Sequence, residues 1–248
     1  MYLIRKCVYG LFLVFVLLMW HGCEKVILSG EGELLTVSEE YDVFEGITFY
    51  DIFHVRLLSD SVFSVALKVH EKYRDNVSFI LDSGVISFYD KNPERWLPEY
   101  PWPVVEIRFP RLDGKLFLES PVWITTPDTL RVPRLNLLSL GKTGDFNITM
   151  ETESFQFVTG SDNSGMYTFQ GSAESARIWP RGSSQVNAAN LRMQRCNVYS
   201  NSIGDCSVYV TGRLEVRLNT MGDVVYYGDP DEVMLVEESG EGRLIKAD

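Results

Sequence analysis

A glycine returns about every twenty residues through the second half of this 248-residue chain, and that period limits the fold more than any other feature. Counted from Gly144 through Gly165, Ser184 (standing in for glycine), Gly204, Gly222 and Gly242, the spacings are 21, 19, 20, 18 and 20. A fixed period of this length belongs to stacked repeats. Glycine marks turns in every fold, so the flanking columns must carry the argument.

Two residues after each anchor stand Phe146, Tyr167, Val186, Cys206, Val224 and Leu244. Two further on come Ile148, Phe169, Ala188, Val208, Tyr226 and Lys246. Eight before the anchors lie Asn136, Phe157, Ala176, Cys196, Leu214 and Met234, and six before lie Leu138, Thr159, Ile178, Val198, Val216 and Val236. Each repeat thus holds two short alternating runs, each a strand with one buried face. Gly, Ser, Asn and Asp fill the corners, where positive φ angles are expected. One repeat cannot bury its apolar face alone, whereas a stack gives a continuous core. The expected fold is therefore all-β: a β-helix-like solenoid with rungs of about 20 residues. An antiparallel sandwich also alternates and turns, but it does not explain columns that align between repeats.

The front of the chain differs in kind. Arg5 and Lys6 precede an apolar run from Val8 to Trp20 that ends at Gly22-Cys23, the pattern of a secretory leader. Leader, small residue, then cysteine resembles the lipobox of bacterial lipoproteins, which makes Cys23 the expected lipidation site. An ordinary cleaved leader is the simpler alternative. Loss of residues 1–22 removes Arg5 and Lys6 and no acid, taking the net charge from −11 to −13. An acidic exported chain is a poor nucleic-acid binder, because phosphate contacts need a basic footprint. The expected membrane partner is reached through the lipid, which is anchor enough. The expected division is a leader at 1–22, a linker behind the anchor at 23–29, an irregular β-rich part at 30–129, and regular repeats at 130–248. In the irregular part, Ser83-Gly84 between two apolar runs reads as a hairpin turn.

Cys196 and Cys206 fall in inward columns half a repeat apart. In an oxidising compartment they can bridge; packing as two buried thiols fits equally. One loop stands out, from Lys91 to Pro103, with four prolines that make it a poor strand. Its Trp96, Tyr100 and Trp102 are the candidate binding residues, as an aromatic platform for a sugar or a protein. The bland alternative is that these rings cover an end of the core.

Chemistry is sparse. No HExxH, CxxC or GxSxG pattern appears, and no catalytic residue, metal or cofactor is expected. Ser161-Asp162-Asn163-Ser164-Gly165 looks like a calcium loop but lacks the downstream bidentate Glu, so it reads as a corner. Asp145, Asp205 and Asp223 follow anchor glycines and would stack. Met166, Gln185 and Arg243 interrupt that column, which weakens the case for a carboxylate-based polysaccharide hydrolase.

Val43-Phe44-Glu45-Gly46-Ile47, the stretch from Leu214 to Pro230, and Ser239-Gly240-Glu241-Gly242 together resemble the head GIN domain family of auto-transporter adhesins, common in exported proteins of Bacteroidetes. The resemblance spans nearly all of residues 30–246. It implies a right-handed β-solenoid with a binding or adhesive role and no established catalytic residues. The leading expectation is a non-catalytic outer-membrane lipoprotein that binds a glycan or a protein, facing either the surface or the periplasm. The alternatives are a periplasm-facing structural or sensory scaffold and, least favoured, a polysaccharide-active enzyme. The sequence leaves the oligomeric state open.

Overall fold

The computed structural model describes residues 32–112 and 114–247. Nearly two thirds of the chain is strand, 63%, wound into a β-solenoid of about seven turns with rungs of about 20 residues. The strands join one ladder, and the apolar columns of the sequence become its core. On one wall Ile86, Ile47, Leu116, Leu137, Phe157, Ile178, Val198, Val216 and Leu235 lie opposite one another in successive parallel strands. On the other wall the column is Val105, Val55, Ile124, Phe146, Tyr167, Val186, Cys206, Val224 and Leu244. Parallel in-register pairing over so many strands rules out the antiparallel sandwich.

Strands form because alternation leaves one face apolar at every rung. Phe63–His70 alternates buried and half-buried residues along its whole length. Each fully buried Phe, such as Phe155, Phe157 and Phe169, contributes roughly 1.5–3 kcal/mol through removal from water. These rings also pack edge to face across rungs, with centroids 4.8 and 5.0 Å apart, a favoured aromatic geometry.

The second-wall columns hold as expected, whereas the first-wall columns slip. Ile178, Val198 and Val216 sit eight residues before their second-wall partners Val186, Cys206 and Val224, but Leu137 sits nine before Phe146, Phe157 ten before Tyr167 and Leu235 nine before Leu244. Corner length varies, so a fixed offset from the glycine misplaces the flanking rungs. Asn136 pairs with Gln156 and faces outward, and Leu137 takes the buried place.

The anchor glycines have a different cause from the one expected. None of Gly144, Gly165, Gly204, Gly222 and Gly242 has positive φ. A Cβ on Gly222 would meet the carbonyl oxygen of Gly204, and one on Gly242 that of Gly222. Gly165, Gly204, Gly222 and Gly242 each lie against the anchor one rung below, where a Cβ would clash, whereas Gly144 meets Val122 O at 3.3 Å and Ser184 carries its hydroxyl inward to Asn163. Ser83-Gly84 does form the expected hairpin, with φ of 49° and 80°, joining Val77–Asp82 to Val85–Asp90.

The strands before residue 130 belong to the same ladder but stack out of sequence order. The rung of Gly46–Phe49 and Phe53–Ser59 lies between that of Val85–Asp90 and Val104–Phe109 and that of Leu116–Leu118 and Val122–Thr125. Beyond this end the ladder turns antiparallel. Phe63–His70 pairs with Val104–Phe109, Leu34–Tyr41 pairs with Phe63–His70, and Val77–Asp82 covers Val85–Asp90. At the far end Glu232–Glu238 is exposed at every residue.

Candidate functional site

The loop at 91–103 is built around a buried carboxylate. Asp90 is fully buried and accepts hydrogen bonds from the Asn92 backbone N–H and side-chain amide, at 3.0 and 2.7 Å, and from the Tyr100 hydroxyl at 2.8 Å. The Asn92 amide also donates to the Tyr73 carbonyl at 3.2 Å. Burial, then the Asp90 carboxylate, push the Tyr100 hydroxyl well above the usual tyrosine range. Tyr100 packs edge-on against Tyr73 and Trp102, and Trp102 rests against the core near Trp123. Trp96 alone points to solvent, 77% exposed. The three rings therefore do not form one exposed platform: two seal the core and one projects.

The Asp column forms on the outside of the second wall. Two of its members bond the next rung: Asp205 accepts from the Asp223 backbone N–H at 2.9 Å, and Asp223 from that of Arg243 at 2.8 Å, while Asp145 stands apart beyond Met166 and Gln185. The Arg243 guanidinium, 2.7 Å from Asp223, holds that carboxyl below its ordinary value. An open groove of about 400 Å³ lies here between Met166, Gln185, Asn187, Asp205 and Tyr227. Among the described residues no three His, Cys, Asp or Glu side chains come together as metal ligands.

The calcium-like turn is a corner whose central residue points inward. Asn163 is fully buried; its carbonyl oxygen accepts from the Gly165 N–H and from the hydroxyls of Tyr167 and Ser184 at 2.8, 2.8 and 2.9 Å. Its amide donates to the Gly141 carbonyl at 2.7 Å. No lone pair is left facing an ion from outside.

Cys196 and Cys206 are both fully buried free thiols. Burial pushes the Cys206 thiol up to about 12 and raises Cys196 well above its ordinary range, so neither is a nucleophile at neutral pH. Cys23 lies outside the described residues.

The outer surface of the first wall holds a group that the sequence reading did not single out. Trp179 and Tyr199 stand one rung apart, with centroids 5.7 Å apart, and Arg217 lies opposite Tyr199 on the following strand. The Arg217 guanidinium sits 4.7 Å from the Tyr199 ring centre, and that of Arg181 sits 5.7 Å from the Trp179 ring. Arg177 is exposed two residues before Trp179 on the same face. Arg195 and Arg213 lie one column over, paired with Glu174 and Glu215 at 2.7 and 2.6 Å. The signal was the same column arithmetic, applied to the outward positions.

A family model described as "Putative auto-transporter adhesin, head GIN domain" matches residues 43–230, more than half of the chain. A search of curated proteins finds no match. Among solved structures, a putative adhesin from Bacteroides fragilis superposes with a TM-score of 0.71 at 15% identity, covering 87% of this chain and 97% of its own. A putative adhesin from Parabacteroides distasonis gives 0.57 at 17% identity, with 87% and 98% covered. A putative lipid binding protein from the same species gives 0.51 at 18%, with 88% and 98% covered. At these identities the likeness is one of fold.

Proposed function

The chain belongs to the family of putative auto-transporter adhesins with a head GIN domain, and from that premise we propose that it is a lipid-anchored, non-catalytic binding module of the cell envelope. Its ligand is a glycan or a protein, held by several weak contacts along the solenoid. The observation that carries this reading is the ladder itself: about seven turns fix outward side chains in straight columns at the strand spacing of about 4.8 Å. A rigid comb of this kind suits an extended partner, since no side chain need be ordered on binding. Individually modest contacts then gain from acting together and from many copies anchored on one membrane.

The anchor rests on Cys23 behind the apolar leader. Among the described residues no helix is long and apolar enough to cross a membrane. The non-catalytic reading is supported by the hydrogen-bonded carboxylates of Asp205 and Asp223 and by two buried thiols.

Mass spectrometry of the protein extracted from its native envelope tests the anchor. The expected mature chain begins at Cys23 and carries acyl chains, and Cys23→Ser releases it from the membrane fraction. A chain cut elsewhere, or one that stays membrane-bound after Cys23→Ser, would overturn the anchor. Protease treatment of intact cells tests the orientation: loss of the protein without opening the outer membrane is expected of an adhesin. Survival until the membrane is opened would favour a periplasmic scaffold.

A further inference from the structure

We propose that the outer surface of the first wall, around Arg177, Trp179, Arg181, Asn197, Tyr199 and Arg217, binds an acidic polysaccharide bearing carboxylate or sulfate groups along its chain. The proposal rests on the reading of the protein as a binding module and gives that module a site and a ligand class.

The starting observation is a conflict of charge. The chain carries 34 acids against 23 Lys and Arg, so a cation has many carboxylates to pair with. Yet among the described residues the guanidiniums of Arg177, Arg181 and Arg217 find no salt-bridge and no hydrogen-bond partner, and their contacts there are to rings. Glu237 lies opposite Arg217 on the next strand without pairing with it. Leaving these arginines unpaired forgoes attraction that the composition offers, and a surface that does so is free to receive an anion.

The unpaired arginines are also held in place. Arg181 and Arg217 lie over the rings of Trp179 and Tyr199. Cation–π attraction holds a guanidinium without using up its N–H donors, and those donors match the two oxygens of a carboxylate or sulfate. An arginine held this way also loses less freedom when it binds. Between Arg177 and Glu215 sits Asn197, half-buried and with no hydrogen bond to its amide, which suits the hydroxyls of a sugar. Trp179, 37% exposed, supplies an apolar edge beside them.

Spacing chooses the polymer. The arginines span three rungs, from the strand of Arg177 to that of Arg217, or about 10 Å along the ladder. Three cations over that length suit a chain with one charge on every one or two sugars. They are too few for a nucleic acid, with one charge per about 3.4 Å of each strand, which the net charge of −11 would also repel. Within the screening length of about 8 Å at physiological salt, Arg177, Arg181 and Arg217 stand against Glu237 and a Glu215 already paired with Arg213, so a sparsely charged ligand meets a local excess of cations. A protein partner would want a central apolar anchor in a pocket, and this wall is flat and mainly polar.

The full chain in uncharged detergent is run through native gels containing polygalacturonate, chondroitin sulfate or dextran. Retardation by at least one acidic polymer and not by dextran is expected, weakening as salt rises. Arg177→Gln with Arg217→Gln lowers the affinity about tenfold, Trp179→Ala does much the same, and Trp179→Phe less. Arg74→Gln, an exposed arginine in the segment Glu71–Asn76 away from this wall, leaves it unchanged, and equal melting temperatures show that the variants fold. Equal retardation by dextran, none by either acidic polymer, or wall variants that bind as well as the parent would overturn the proposal. If the chain still binds cells or proteins in those cases, the broader reading survives; if it binds nothing, both fall.

Discussion

At the scale of single residues, the buried polar corner shows how far side-chain identity was readable. Asn163 fits a turn, and the sequence gives that much. Its inward direction was not readable, because Asn suits a solvated corner and a buried one equally. The structure decides by its partners: Gly165, Tyr167 and Ser184 donate to one oxygen, while Ser139 bonds the Tyr167 hydroxyl at 2.9 Å. Truncation would strand the Gly165 N–H and the Gly141 carbonyl, each worth roughly 1–3 kcal/mol when left unsatisfied, and would leave the Tyr167 and Ser184 hydroxyls to Ser139 and Arg181. Asn163→Ala is therefore expected to cost about 3 kcal/mol or more in urea unfolding of the full chain. A loss under about 1 kcal/mol would mean that water enters the corner and replaces the amide. The 91–103 loop teaches the same lesson with rings. Trp96, Tyr100 and Trp102 look alike in sequence, but only Asp90 and Asn92, whose burial is tertiary, fix Tyr100 inside.

At the scale of the element, a rung is two strands and two corners, and the corners set what the sequence can show. The inward columns of the second wall were legible because they sit next to the anchor glycine. Those of the first wall were legible where the corner kept its length, at Ile178, Val198 and Val216, and at Phe157 and Thr159, where two extra residues leave the buried face unchanged. Before Phe146 a single extra residue turns the counted position Asn136 outward and puts Leu137 inside. The outward columns were just as accessible to counting but carry no apolar pattern to attract notice, which is why Arg177, Trp179 and Arg217 were passed over. The anchor itself makes a sharp test. A Cβ at Gly222 would run into the carbonyl of Gly204, whereas one at Gly46 would find Lys115 O and Val85 Cγ2 at an ordinary 3.5 Å. Gly222→Ala is expected to destabilise by about 2–3 kcal/mol, as overpacking does. Gly46→Ala should stay within about 0.5 kcal/mol. Equal effects of the two in thermal melts would show that rung contact is not what selects glycine.

At the scale of the whole molecule, the two ends of the ladder are unlike, and stability should follow. The solenoid is nearly one-dimensional, so each rung draws stability from its neighbours. The first end is closed by antiparallel strands whose β character was readable but whose pairing was not, because their order in space differs from their order in the chain. Long-range pairing of this kind leaves no local signature. Its effect is to bury the first rungs on both sides: Ile47, Ile86 and Val105 are fully buried. The other end has no such cover among the described residues. Glu232–Glu238 is exposed throughout, and Val233, Leu235 and Val236 remain 39–44% exposed. Its acidic flanks, Glu232, Glu237 and Glu238, blunt an edge that would otherwise recruit another strand. Amide hydrogen exchange should therefore be graded. The strands Asp145–Thr159, Met166–Trp179 and Gln185–Ser202, held on both sides, should exchange slowest and together; Glu232–Glu238 and Leu244–Lys246 should open first, by local fraying. Protection of the last rung equal to that of the centre would mean that another chain covers it in solution. The same rigidity at the centre is what the wall of Trp179 and Arg217 requires, since both lie where neighbouring rungs support them on either side.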